Sequence, residues 1–146
     1  MQAKPYLVSA LFCERVLQET DGVLSVVRIV DKATVEIPQD APKEKKPVVQ
    51  ITALISFKSG DAKGKFSVQV VPRSPTGKSM SAPAPFPMLF EGQEHGNNLI
   101  INFTIPVEEE GLFWFDVLVD GEVMGRMPLR VEHKRPQNLS AANSGK

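Results

Sequence analysis

The chain has 146 residues, 42% hydrophobic and 23% charged, with 17 Lys and Arg set against 17 Asp and Glu. That length supports one domain with a core large enough to need no disulfide or metal staple. A net charge of zero argues against a nucleic-acid groove or a polybasic membrane surface, since both need a basic excess. The single cysteine, Cys13, has no internal disulfide partner, and no run has the length of a membrane span or the build of a signal peptide, so the expected address is the cytoplasm.

Taken in chain order, apolar residues recur mainly at every second position between clusters of Gly, Pro, Asp and Asn, which is the mark of half-buried strands. Residues 6–16 and 23–37 mix two alternation phases, as a bulge or a change of sheet would produce, with Asp21-Gly22 turning the chain between them. A helix over residues 10–19 competes there, because Phe12, Val16 and Glu19 also fit a 3.6-residue period. A charged connection, residues 38–47, leads to the clearest strand, residues 48–57. There Val49, Ile51, Ala53, Ile55 and Phe57 share one face, and Gln50, Thr52 and Ser56 the other. After a polar turn at 59–64, Phe66, Val68 and Val70 repeat the pattern. A loop over residues 72–87 follows with five prolines, none able to donate to a ladder, which assigns it to the surface or to a sheet edge. Leu99, Ile101, Phe103, Ile105 and Val107 mark the next strand. Phe113, Phe115, Val117 and Val119 mark another, and Val123, Met127, Leu129 and Val131 the last. Residues 133–146 read as a polar, disordered tail behind a single domain, residues 1–132. The fold class expected is all-β, a two-sheet antiparallel β-sandwich.

Glu109-Glu110-Gly111-Leu112-Phe113-Trp114-Phe115 resembles the corner before the penultimate strand of immunoglobulin-like sandwiches. Phe113 stands where that group's tyrosine would be and Phe115 where its second cysteine would be, so the hydroxyl and the inter-sheet bridge are both missing. Asp21-Gly22-Val23-Leu24-Ser25-Val26-Val27, together with Gly111-Leu112-Phe113-Trp114-Phe115 leading into Val119-Asp120-Gly121, resembles a family of small bacterial proteins of unknown function. The resemblance implies an immunoglobulin-like or related sandwich and carries over no activity.

The chemistry-bearing residues form no catalytic pattern. His95, at the end of Glu91-Gly92-Gln93-Glu94-His95, lacks the helix and first histidine of an inverted zinc-protease motif and reads as a loop residue. Cys13 has no histidine near it in sequence and reads as a buried, inert thiol. Glu108-Glu109-Glu110 with Asp116 or Asp120 lacks the Asp-x-Asp spacing of a calcium loop, so a solvated turn is favoured. The basic clusters at residues 43–46 and 133–135 carry no interleaved stacking aromatics. Pro72-Arg73-Ser74-Pro75 fits a bare PxxP pattern, read as a stiff connection. No cofactor, metal, nucleic acid or membrane is expected as a partner.

The hairpin around Asp120-Gly121 decides what the outer face carries. A two-residue Asp-Gly turn pairs Leu118 with Val123 and Phe115 with Arg126, which would put Arg126 and Glu122 among the phenylalanines that should be buried. A three-residue loop, Val119-Asp120-Gly121, pairs Val117 with Val123, Phe115 with Gly125 and Phe113 with Met127, and is preferred. It places Trp114 opposite Arg126. That pair is either a local cation–π contact or, with Leu118 and Met124, a partner or self-association surface, since Trp, Met and Arg are enriched at interfaces. The function expected is a non-catalytic binding or assembly module. An accessory subunit or small-ligand binder is one rival, and an enzyme whose site assembles only in space is another. Either rival calls for a concavity lined by His95, Cys13 or several carboxylates. Limited proteolysis is expected to nick residues 72–87 or the tail first, because the prolines leave that loop little to bury; initial cleavage inside residues 48–57 would contradict the strand assignment.

Overall fold

The computed structural model describes residues 3–37 and 47–134. Nine strands run in order: β1 Tyr6–Gln18, β2 Leu24–Val30, β3 Lys32–Glu36, β4 Val48–Lys58, β5 Lys63–Arg73, β6 Phe86–Glu91, β7 Gly96–Pro106, β8 Gly111–Val119 and β9 Glu122–Lys134. They form two sheets, one in the order β2-β1-β4-β7 (sheet A) and one in the order β3-β9-β8-β5-β6 (sheet B). The all-β expectation holds, and of residues 10–19, where a helix competes, 10–18 are strand within β1.

Alternation drives this arrangement. Val49, Ile51, Ala53, Ile55 and Phe57 from β4 and Leu99, Ile101, Phe103 and Ile105 from β7 meet Phe66, Val68, Val70, Phe113, Phe115, Val117, Met127, Leu129 and Val131 of sheet B in one buried cluster. Phenylalanines stitch the two sheets together. The Phe115 ring lies 4.8 Å from Phe12 and 5.3 Å from Phe103, and Phe90 lies 6.0 Å from Phe57, while within sheet B Phe90 lies 5.5 Å from Phe66. Tilted and edge-on pairs of this kind add about 0.5–1.5 kcal/mol each beyond the area they bury.

The mixed phases near the N-terminus have two causes. Leu7 pairs with Phe57 but Ser9 with Ser56, so Val8 is an extra, bulged residue. Val30 then pairs with Phe12 in sheet A while Lys32 pairs with Arg130 in sheet B, so Asp31 alone carries the chain from one sheet to the other. Because the chain crosses without reversing, β3 runs parallel to β9. The expectation of purely antiparallel sheets is corrected by that one pair.

The proline-rich segment is shorter as a loop than its composition implies, since Pro72 lies in β5 and Pro87 in β6. Pro72 is tolerated because its backbone faces the loop rather than β8: its carbonyl accepts from Met80 N at 3.1 Å, and a strand residue's missing N–H would point the same way. His133 and Lys134, assigned by sequence to the tail, are the last residues of β9 and pair with Val35 and Glu36. The remaining tail residues, 135–146, and the charged connection at 38–46 lie outside the described residues.

The β8–β9 hairpin departs from both registers considered above. Val119 pairs with Glu122 and Leu118 with Val123, so the turn is the two-residue Asp120-Gly121, with both residues at positive φ (49° and 80°) as a type I′ turn requires. Asp120 also binds β5 twice, its N–H donating to Ser67 O and its Oδ1 accepting from Ser67 N, each at 2.7 Å. The register then shifts: Val117 pairs with Gly125, leaving Met124 as a bulge. The inserted residue moves Arg126 from Phe115 to Asp116, which keeps the core apolar without a longer loop. Gly125 gives the space that β1 needs, since a Cβ there would sit 2.5 Å from Leu7 Cδ2. Phe115→Ala is expected to cost about 3–5 kcal/mol in urea unfolding, because the ring is fully buried against both sheets; a loss below about 1 kcal/mol would show that the inter-sheet contact is not central.

Candidate functional site

Period-two alternation sends Trp114, Asp116 and Leu118 of β8 to the outer face of sheet B, opposite the core-facing phenylalanines and valines. An outward aspartate in a strand is normally solvated, yet Asp116 is only 2% exposed. Val71 on β5 and Arg126 on β9 stand directly across from it, and Arg73 reaches in from the diagonal position opposite Trp114. Arg73 Nε lies 2.9 Å from Asp116 Oδ2, and Arg126 Nε lies 3.3 Å from Oδ1. Oδ1 is covered and, despite that ion pair, lacks a hydrogen bond of good geometry. Both arginine side chains are substantially exposed, 45% and 64%.

Around this triad lies an open depression of about 520 Å³ lined by Arg73, Pro75, Trp114, Asp116 and Arg126. Trp114, 38% exposed, forms part of its wall. Its in-register neighbours are Arg73 and Pro128, not Arg126, so the expected Trp114–Arg126 opposition is corrected by the bulge. The structure brings together three of the four surface residues read from sequence. Leu118 is half-buried on the same face beside Val123 and Gln69, and Arg126 joins Asp116. Met124 does not belong with them, because the bulge turns it to pack against the core. Sequence reasoning saw Arg73 only within a PxxP connection, and it gave the outward Asp116 no arginine partner. The available signal was the strand-outward parity of Asp116 together with arginines on both flanking strands, and it depends on registers that alternation alone leaves open.

The other candidates are scattered. His95 sits in an exposed turn, Nδ1 3.5 Å from Glu91 Oε2. His133 Nε2 is 2.7 Å from Val107 O, and its N–H donates to Glu110. Glu109 accepts from Thr76. Asp116, held by arginines, is therefore no companion of the glutamate run in a calcium loop. Among the described residues no group of three His, Cys, Asp or Glu is placed to hold a metal ion. Cys13 is fully buried, and burial pushes its thiol pKa up, the direction opposite to an activated nucleophile. It does line a second open depression, about 380 Å³, where β1 and β4 part and β3 faces them through Ala33 and Val35. Tyr6 donates to Glu94, a contact that raises the phenol pKa. No helix among the described residues is long and apolar enough to cross a membrane.

The triad makes a testable energetic claim. Either arginine alone still partners the buried carboxylate, so Arg73→Ala and Arg126→Ala are each mild, whereas the double variant strands Asp116 without a cation. A double-mutant cycle by urea unfolding is expected to give a coupling of about 1 kcal/mol, reduced from buried-pair values because both guanidiniums reach solvent. Strict additivity would show that the two contacts are independent surface pairs.

Among solved structures, the chain is similar to an alkylpurine DNA glycosylase, AlkC, from Pseudomonas fluorescens (15% identity, TM-score 0.46, 68% of this chain and 29% of that one). It is also similar to a β-glucosidase from Listeria innocua (12%, 0.46, 74% and 15%). A third similarity is to an immunoglobulin-like protein from Pseudomonas aeruginosa (14%, 0.42, 90% and 98%). The chain spans less than a third of the glycosylase and less than a fifth of the glucosidase, and none of these likenesses lends it an activity. No curated protein matches it. Over residues 8–132, which take in all nine strands but the ends of the first and last, the sequence matches one family model, and the chain belongs to the family of unknown function DUF6941.

Proposed function

We propose that the two sheets form a β-sandwich of immunoglobulin-like or related type and that the chain works as a non-catalytic binding or assembly module in the cytoplasm. Its contact surface is the outer face of sheet B, built from Trp114, Leu118, Arg126 and, in place of Met124, Arg73. One observation carries this reading: an outward carboxylate nearly sealed from water by two arginines, beside an exposed tryptophan. Trp and Arg are the residue types that dominate binding hot spots, and here they stand on strands rather than on loops. A surface held by strand register loses little conformational freedom on binding.

The partner is a protein, or a second copy of the chain. The rival reading, a small-ligand site or an enzyme, has in its favour the depression lined by Cys13, Glu14 and Glu36; against it, the thiol is buried with a raised pKa, no histidine lines the depression, and Glu14 is engaged by Arg28. Trp114→Ala and Leu118→Glu are expected to abolish a specific partner in pull-down, or a concentration-dependent sedimentation shift, in protein that still unfolds cooperatively. If both folded variants keep every partner and the same oligomeric state, the surface is not the functional one.

A further inference from the structure

Deepening this reading of the outer face, and resting on it, we propose that Arg73 and Arg126 form a paired clamp for the carboxylates of an acidic polypeptide segment, with Trp114 packing against that segment's backbone and Asp116 acting as the positioning residue. Both ion pairs run through Nε. A guanidinium tethered by Nε keeps its Nη donors, the edge that matches a carboxylate in parallel hydrogen bonds. Asp116 cannot itself receive a ligand, because its Oδ1 is covered by the protein. Whatever enters the depression therefore meets two cations, Trp114, Ser74, Pro75 and Gly77, and no accessible acid, on its lining.

Charge complementarity extends along the face. Arg130 lies outward on β9, and Lys32 is opposite it on β3, with Glu132 engaged by Lys32 at 3.0 Å. Glu132 offsets Lys32, so of these groups Arg130 alone adds positive charge to the face outside the depression. The amount of charge selects the class of partner. Two guanidiniums against one carboxylate leave a single net positive charge in the depression, too little counterion release to hold a nucleic acid. The rest of its lining is Ser74, Pro75, Gly77 and Trp114 rather than further bases. An acidic side chain flanked by backbone and apolar atoms satisfies both parts.

The chain's single tryptophan is Trp114, so its emission reports this site directly. The probes are end-blocked hexaglutamate, its hexaglutamine counterpart, inorganic phosphate and a single-stranded oligonucleotide. Hexaglutamate is expected to change the emission saturably and hexaglutamine not. Arg73→Gln and Arg126→Gln are each expected to weaken hexaglutamate by about tenfold, the loss of one charge-assisted contact. Arg130→Gln, which removes the same charge from the same face, is expected to change it less than about twofold.

Asp116→Asn removes a negative charge from the face and leaves one acceptor oxygen where two guanidiniums were held, so positioning requires weaker binding where simple electrostatics requires tighter. Far-ultraviolet dichroism and cooperative unfolding establish that each variant is folded, and the exposed Arg126→Gln keeps the test intact if Asp116→Asn is not. Equal losses from all three arginine variants, or tighter binding by folded Asp116→Asn, would overturn the clamp. So would tighter binding of phosphate or oligonucleotide than of hexaglutamate, or self-association abolished by Arg126→Gln. Loss of a pulled-down partner in Trp114→Ala without any response to hexaglutamate would leave the contact surface standing and refute its acidic ligand.

Discussion

Everything on the outer face of sheet B depends on a contact inside the molecule, the Phe115 ring against Phe12 and Phe103. Strand side chains alternate, so fixing Phe115 inward fixes Trp114 and Asp116 outward, and a slip of one residue would exchange them. The cost of such a slip is the burial of Asp116 in a cluster that otherwise holds aliphatic and phenyl groups, a penalty of several kcal/mol for an unpaired carboxylate. The hydrophobic core therefore sets the position of the polar site as firmly as any hydrogen bond within it.

Register along β8 is not sufficient, because the site also needs β9. Asp120-Gly121 supplies the two positive φ angles of a tight turn, and the paired hydrogen bonds to Ser67 tie that turn to β5. From such a turn, unbroken pairing would bring Arg126 opposite Phe115. The Met124 bulge absorbs the conflict by one residue, and in doing so delivers Arg126 to Asp116. The bulge serves the core and the surface at once: Met124 joins the apolar side, Gly125 makes room for Leu7, and the guanidinium reaches the carboxylate.

Strands with strict alternation were legible from sequence, β4 and β7 most plainly, because burial on a single face imprints period two on the residues. The N-terminal third was legible only as an irregularity, since a bulge at Val8 and a sheet change at Asp31 break phase in the same way. For the last hairpin the constraint was readable and its solution was not. That Arg126 must avoid Phe115 follows from charge and burial, but a longer loop and a bulge satisfy it equally well, and only the long-range contacts of Asp120 with Ser67 and of Leu7 over Gly125 separate them. Three of the four residues of the proposed surface, Trp114, Leu118 and Arg126, were therefore named from sequence as part of it. Arg73 was not, because its nearness to Asp116 is a property of the β5–β8 register, which joins residues 43 positions apart.

The buried carboxylate is a poor investment for stability alone. A threonine or valine at position 116 would suit an outward strand position, and exchanging buried ionic groups for apolar ones is often neutral or stabilising. What the carboxylate does that valine cannot is hold two long, flexible side chains by one nitrogen each. Arginine rotamer freedom is worth about 2 kcal/mol per side chain, and a ligand meeting free guanidiniums would have to order them itself. With Arg73 Nε hydrogen-bonded to Asp116 and Arg126 Nε in an ion pair with it at 3.3 Å, part of that ordering is complete before anything binds. The desolvation cost of one aspartate is thus met at folding, by the burial of phenylalanines and valines in the core, and it appears as preorganisation of the outer face.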